Sequence, residues 1–277
     1  MNLLKDTVEV KVMNSIKIAH EAPKSIFREV QNRTDYDYCL VHLLEEDSEY
    51  LNLFKDAKNK GREIILDNSI FELGEAFDSE KYAYWIETLK PDWYIIPDVL
   101  EDFQGTLKKY TEWEKKYNNL PGKRIGVIQG KTFSEIASCY SFLNLYAKVD
   151  MIAISFDYSY YLKSVPHPNK YVSWTLGRVK LLADLERNNI LSKNIKHHLL
   201  GSSLYWEGSL YKDYPWIYSI DTSNPVMFGV TGQEYQGIFT QHKPSQKLFT
   251  IIDEQIEPSK VELIYKNIHE FRKYWTL

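Results

Sequence analysis

Cysteine is scarce in this chain: Cys39 and Cys139 are the only two and lie far apart. A structural zinc site needs four clustered Cys or His ligands, so no zinc module and no metal are expected. No apolar run approaches the roughly 20 residues of a membrane span, and residues 1–6 reach a charge almost at once. Neither a membrane helix nor a leader is expected, and the protein is placed in the cytoplasm. Positive charge is not in excess either, since 34 Lys and Arg stand against 38 Asp and Glu. Broad, nonspecific wrapping of nucleic acid depends on such an excess and is excluded, which leaves room only for a local basic groove. Low-complexity tracts and exact internal repeats are absent.

What is present is an ordinary globular composition, 44% hydrophobic and 26% charged over 277 residues. That suffices for a large core, and one domain over 1–277 is expected, because a single α/β barrel runs to roughly 250 residues. Short β-branched or aromatic runs alternate with longer segments of helical periodicity, the pattern of βα units and a parallel sheet. Eight strands are predicted at 15–19, 38–44, 63–66, 93–96, 124–128, 151–155, 197–200 and 217–220. Helices are predicted at 49–60, 80–90, 107–117, 133–147, 173–188 and 259–275. The expected fold is α/β, a single (β/α)8 TIM-type barrel with a C-terminal extension over 229–250. A long loop is expected at 157–170.

In such a barrel the active site lies at the C-terminal ends of the strands. Those positions here hold Asp67-Asn68-Ser69, Asp98, Gln129-Gly130, Gly201-Ser202-Ser203 and Asp221-Thr222-Ser223. Each has a plain structural reading. A lone Asp after a strand commonly caps the next helix, Gln129-Gly130 can be a tight turn, and Gly201 a close backbone approach. Capping alone does not bring all of them into register on successive strands.

The ordered set resembles the tRNA-guanine transglycosylase superfamily. Leu66-Asp67-Asn68-Ser69-Ile70-Phe71-Glu72 is similar to its Thr-Asp-Ser-Gly-Gly-(Phe/Tyr)-Gln motif, and Gly126-Val127-Ile128-Gln129-Gly130 to Gly-Ile-Val-Gln-Gly. Ala153-Ile154-Ser155 stands where that family has Ala-Ile-Gly-Gly, and Leu199-Leu200-Gly201-Ser202 where it has Met-Gly-Val-Gly. Ile220-Asp221-Thr222-Ser223-Asn224-Pro225 resembles Asp-Cys-Val-X-Pro. The resemblance implies Asp221 as nucleophile and Asp67 as acid/base. It implies Phe71 as the ring that stacks on the base, and Asp98 and Gln129 as readers of its edge, with Gly130, Ser155 and Gly201 completing the pocket.

The chemistry suits those residue types. Displacing a purine from C1′ passes through an oxocarbenium-like state that one carboxylate can trap while a second group manages the proton. No cofactor is expected. The resemblance implies exchange of guanine for a purine or 7-deazapurine base in a polynucleotide, and a homodimer is among its implications. Without the zinc module that helps the tRNA enzymes dock RNA, the chain is closer in character to the short DNA-directed branch, so DNA is favoured over tRNA. Ser155-Phe156 in place of the double glycine reshapes the pocket, and Val226-Met227 replaces a Thr-Arg pair.

Further expectations rest on the residues alone. Tyr160, Tyr161, Lys163, His167, Lys170 and Tyr171 in the stretch 158–174 interleave aromatics with cations, as nucleic-acid contacts do. A solvated loop is the alternative. Lys123, Arg124 and Lys131 flank the fifth strand and could touch phosphate. His20 and His42 could reach the mouth, whereas His197-His198 reads as structural, one ring inward and one outward. Two other functions stay open: a hydrolase using Asp221 and Asp67 as its carboxylate pair, and a catalytically silent barrel that binds a modified base or a protein.

Overall fold

Short runs dominated by Ile, Leu, Val and aromatics form the strands, in a computed structural model that describes residues 15–147 and 149–276. Residues 1–6, on which the leader reading rests, lie outside them. The strands are β1 (Lys17–His20), β2 (Asp37–Leu40), β3 (Ile64–Asp67), β4 (Trp93–Ile95), β5 (Lys123–Val127), β6 (Met151–Ser155), β7 (Lys196–Leu200) and β8 (Ile217–Thr222). All pair in parallel in the order β1-β8-β7-β6-β5-β4-β3-β2. The sheet curls into a nearly closed (β/α)8 barrel of TIM type. At the seam between β1 and β2 the chain is stitched just before β2: Asp35 N–H donates to Ile18 O at 2.8 Å, and His20 N–H to Thr34 Oγ1 at 3.0 Å.

The helices are α1 (Phe27–Gln31), α2 (Val41–Glu46), α3 (Ser48–Asn59), α4 (Ile70–Leu73), α5 (Ser79–Leu89), α6 (Phe103–Tyr117), α7 (Phe133–Ser141), α8 (Ser159–Ser164), α9 (Lys170–Arg187), α10 (Asn224–Val230) and α11 (Pro258–Trp275). Among the described residues none is long and apolar enough to cross a membrane. Apart from α11, which begins on Pro258, the long ones start on side-chain caps that satisfy otherwise unpaired N–H groups: Asp47, Asp78, Asp102, Asn169, and a capping box of Thr132 with Glu135. The barrel interior and its helical jacket form one core. A second cluster joins Val226, Met227 and Val230 of α10 to Ile264 and Ile268 of α11, so Val226-Met227 serves packing.

Three expectations are corrected. The second strand stops at Leu40, whose partner Asp67 ends β3; with no neighbour left to pair, the chain turns into α2. The loop 157–170 contains α8, pinned by the buried Tyr161, whose hydroxyl donates to Ser155 O at 3.0 Å. The helix predicted over 133–147 changes to a π-helical turn at Phe142–Ala147.

Candidate active site

The C-terminal ends of the strands open into a cavity of about 270 Å³. Asp67, Phe71, Asp98, Gln129, Ser155, Gly201 and Asp221 all line it. Gly130 does not. It sits against the start of α7, where a Cβ would come within 2.7 Å of Glu135 Cβ, so its glycine answers packing. Capping is not what the aspartates do, since α6 is capped by Asp102 and α10 begins after Ser223 with no side-chain cap.

Asp221 lies within β8, one residue before its end, and is 7% exposed. His198 Nε2 lies 3.0 Å from its Oδ1, and Gly201 N–H reaches the same oxygen at 3.4 Å. Oδ2 has no hydrogen-bond partner among the described residues. The other nitrogen of His198, Nδ1, is 2.9 Å from Ser219 Oγ, and its ring stacks at 5.9 Å on Tyr38. A carboxylate only accepts, so with an ionised Asp221 the proton of a neutral His198 sits on Nε2 and Ser219 donates to Nδ1. Both histidines are fully buried. His198 points inward as alternation predicts, and His197 packs outside, its Nε2 2.9 Å from Tyr140 OH. The structural reading of His198 was therefore incomplete: it orients Asp221.

Asp98 is clamped from both sides. Asn68 Nδ2 donates to its Oδ1 at 2.7 Å and Gln129 Nε2 to its Oδ2 at 2.6 Å, while Gln129 Oε1 accepts from Glu101 N–H at 2.7 Å. Burial pushes the Asp98 carboxyl up to about 6 despite these donors. Asp67 has no such support: its carboxyl makes no hydrogen bond among the described residues. Burial, then the neighbouring charges of Glu72, Asp221 and Asp98, hold it well above the ordinary carboxylate range.

Glu21, Glu72 and Lys243 also line the cavity, and none was singled out from sequence. Burial and the charge of Asp221 push Glu21 up to about 8. Burial also raises Glu72 and lowers the Lys243 ammonium, which Glu21, Glu72 and Asp221 partly offset. The available signals were that Glu21 follows a strand and that Glu72 closes the motif begun at Leu66; Lys243 comes from the extension, which carries no periodic pattern. Arg178, another residue outside the sequence reading, is fully buried in an ion pair with Glu207 at 2.6 Å. It donates to the carbonyls of Ile154, Leu200 and Gly201, and so ties the ends of β6 and β7 together.

The wall after β6 is aromatic. Ser155 Oγ donates to Asp157 Oδ1 at 2.8 Å, and Phe156 packs against Gly201, whose φ of +65° and the 2.6 Å from a would-be Cβ to Phe156 both require glycine. Of the interleaved stretch, Lys170, Tyr171 and Trp174 reach the cavity. Tyr160 and Tyr161 pack on the barrel, and Lys163 and His167 are solvated. Lys123 and Arg124 begin β5, at the opposite end from the mouth: Lys123 lies over Trp93 and Arg124 pairs with Glu114. Lys131 is exposed and outside the cavity lining. His20 and His42 stay out of the cavity too; burial drives His20 down to about 3 against Phe271, and His42 packs on Phe249. Among the described residues, no group of three or more His, Cys, Asp or Glu side chains is arranged to hold a metal ion. No protein-family model matches the chain, and no curated protein matches its sequence.

Proposed function

We propose that the protein exchanges a base on a polynucleotide, DNA ahead of tRNA, through a covalent Asp221–glycosyl intermediate. Asp221 Oδ2 attacks C1′ of the target nucleotide. The C1′–N bond breaks, its electron pair leaves on the purine, and the carboxylic acid of Asp67 supplies the proton that neutralises it. The incoming guanine or 7-deazaguanine-type base then gives its ring N–H proton to the Asp67 carboxylate, and its nitrogen displaces Asp221 from C1′.

One observation carries this reading: two carboxyls in one cavity sit in opposite environments. Asp221 has the Gly201 N–H and His198 Nε2 on a single oxygen, which suits a carboxylate nucleophile, while Asp67 is buried, unsupported and surrounded by negative charge, which suits a neutral acid. Asp98, held between two amides, offers a fixed edge to a purine. Membership of the tRNA-guanine transglycosylase superfamily would call for this convergence. Ser69 supports it as well: its φ is +59°, a left-handed conformation that favours glycine, and the motif it resembles has glycine there. Denaturing electrophoresis after incubation with DNA tests the proposal. A covalent adduct is expected with the native protein and none with a folded Asp221→Asn variant; an adduct that survives the substitution refutes the assignment.

A further inference from the structure

At the cavity mouth, the start of α9 meets the C-terminal extension. The rings of Tyr171 and His242 lie 3.8 Å apart at 15°, close to parallel. Trp174 stands edge-on to Tyr171 at 5.4 Å and to Phe156 at 5.6 Å, and Phe156 lies 5.8 Å from Phe71, which is 41% exposed. These five rings form a continuous aromatic chain. Lys170 lies beside the Tyr171–Trp174 step, 5.1 Å and 4.9 Å from the two ring centres. Lys247 sits at the Phe71 end of the chain, 5.3 Å from that ring. The extension is fixed in place by Lys243 N–H to Ser203 O at 3.0 Å and by Lys247 Nζ to the carbonyls of Phe71 and Glu72 at 3.2 and 3.3 Å.

Charge is divided between floor and rim. Five carboxyls, those of Glu21, Asp67, Glu72, Asp98 and Asp221, face the cavity against the single ammonium of Lys243, which disfavours a phosphate there, while Lys170 is exposed and Lys247 half-buried beside Phe71. A base can enter that cavity only if its backbone stays outside. Paired bases hide their faces in the stack, whereas unpaired bases can lay them on aromatic rings. We infer that the rim holds single-stranded nucleic acid, with His242, backed by Tyr171, stacking a base that flanks the one in the cavity, and Lys170 and Lys247 on adjacent phosphates. This rests on the polynucleotide reading above and adds the strand state and the residues that read it.

Fluorescence anisotropy with a labelled 12-nucleotide DNA strand, the same strand annealed to its complement, and the same sequence as RNA tests it without requiring turnover. Either single strand should bind at least about tenfold more tightly than the duplex. Tyr171→Ala and His242→Ala should each weaken single-strand binding, by about five- to a hundredfold for a lost stacking platform. Lys170→Gln should lower the slope of log K against log salt by about 0.7. Duplex binding as tight as single-strand binding overturns the inference, as does no measurable binding to any oligonucleotide, or unchanged affinity in both ring variants with circular dichroism intact. Single-strand binding with this mutational pattern but no base exchange would leave the rim standing and refute the exchange reaction, so the two failures are distinguishable.

Discussion

Replacing His198 by Phe should slow the second half of the reaction and let the covalent intermediate accumulate. The substitution keeps a flat ring against Tyr38 but removes the donor 3.0 Å from Asp221 Oδ1. A hydrogen bond to a charged group contributes about 1.5–3 kcal/mol, and one to a neutral acceptor about 1 kcal/mol. The free enzyme carries the carboxylate and the intermediate carries the ester, so loss of His198 destabilises the first more than the second, by about 1 kcal/mol. The equilibrium between free enzyme and adduct should shift toward adduct by roughly fivefold. Departure of Asp221 from C1′, which regenerates the carboxylate, should slow by a similar factor. Quantifying trapped adduct on denaturing gels against the concentration of added free base measures the shift. Ser219 Oγ would also lose its ring partner, so the thermal midpoint should fall by an amount matching about 1–3 kcal/mol. An adduct fraction unchanged or lower in His198→Phe, with exchange still measurable, would refute the claim that this histidine stabilises the departing carboxylate.

Two further perturbations probe the rest of the cavity. Asp98→Ala removes the acceptor shared by Asn68 and Gln129 and should weaken binding of the free base at least about tenfold in calorimetry, since it leaves polar groups unpaired; unchanged base affinity would argue against its role. Glu21, Asp67 and Asp98 all have folded-state pKa values raised above their ordinary ones. The folded chain then holds protons that the unfolded chain releases; buried His20 and His197, driven down to about 3 and 4, act with the opposite sign below the ordinary histidine pKa of about 6.5, so the carboxyl effect is read above it, where stability should fall as pH rises from about 7 to 8. Glu21→Gln should flatten the upper part of that fall in thermal melts. A midpoint that rises from pH 7 to pH 8, or a variant with the native slope there, would contradict the buried-carboxyl account.

The barrel was legible in the sequence because strand and helix periodicities differ, and a run such as Ile64–Asp67 has no polar face to hide. Asp67, Asp98, Gln129 and Asp221 were legible because strand ends in a barrel are bound to converge. Boundaries were less so: nothing local marks Val41–Glu46 as helix, since its start is set by where β3 ends. His198 could not be read as the partner of Asp221 because the contact depends on the register between β7 and β8, which shifts at His197/His198. Lys243 and His242 were invisible for a similar reason, since a segment without periodicity gives no hint of where it folds back. Gly130 was misplaced because a motif specifies a residue without saying whether its glycine serves the ligand or the neighbouring helix.

The central claim is base exchange through Asp221, and incorporation of radiolabelled guanine or a 7-deazaguanine tests it most directly. Single-stranded DNA, duplex DNA and bulk tRNA would be incubated in parallel with native protein and with Asp221→Ala. The account predicts label entering DNA with the native protein and none with the variant. Label in no polymer, with the protein folded, would contradict it, as would incorporation that persists without Asp221.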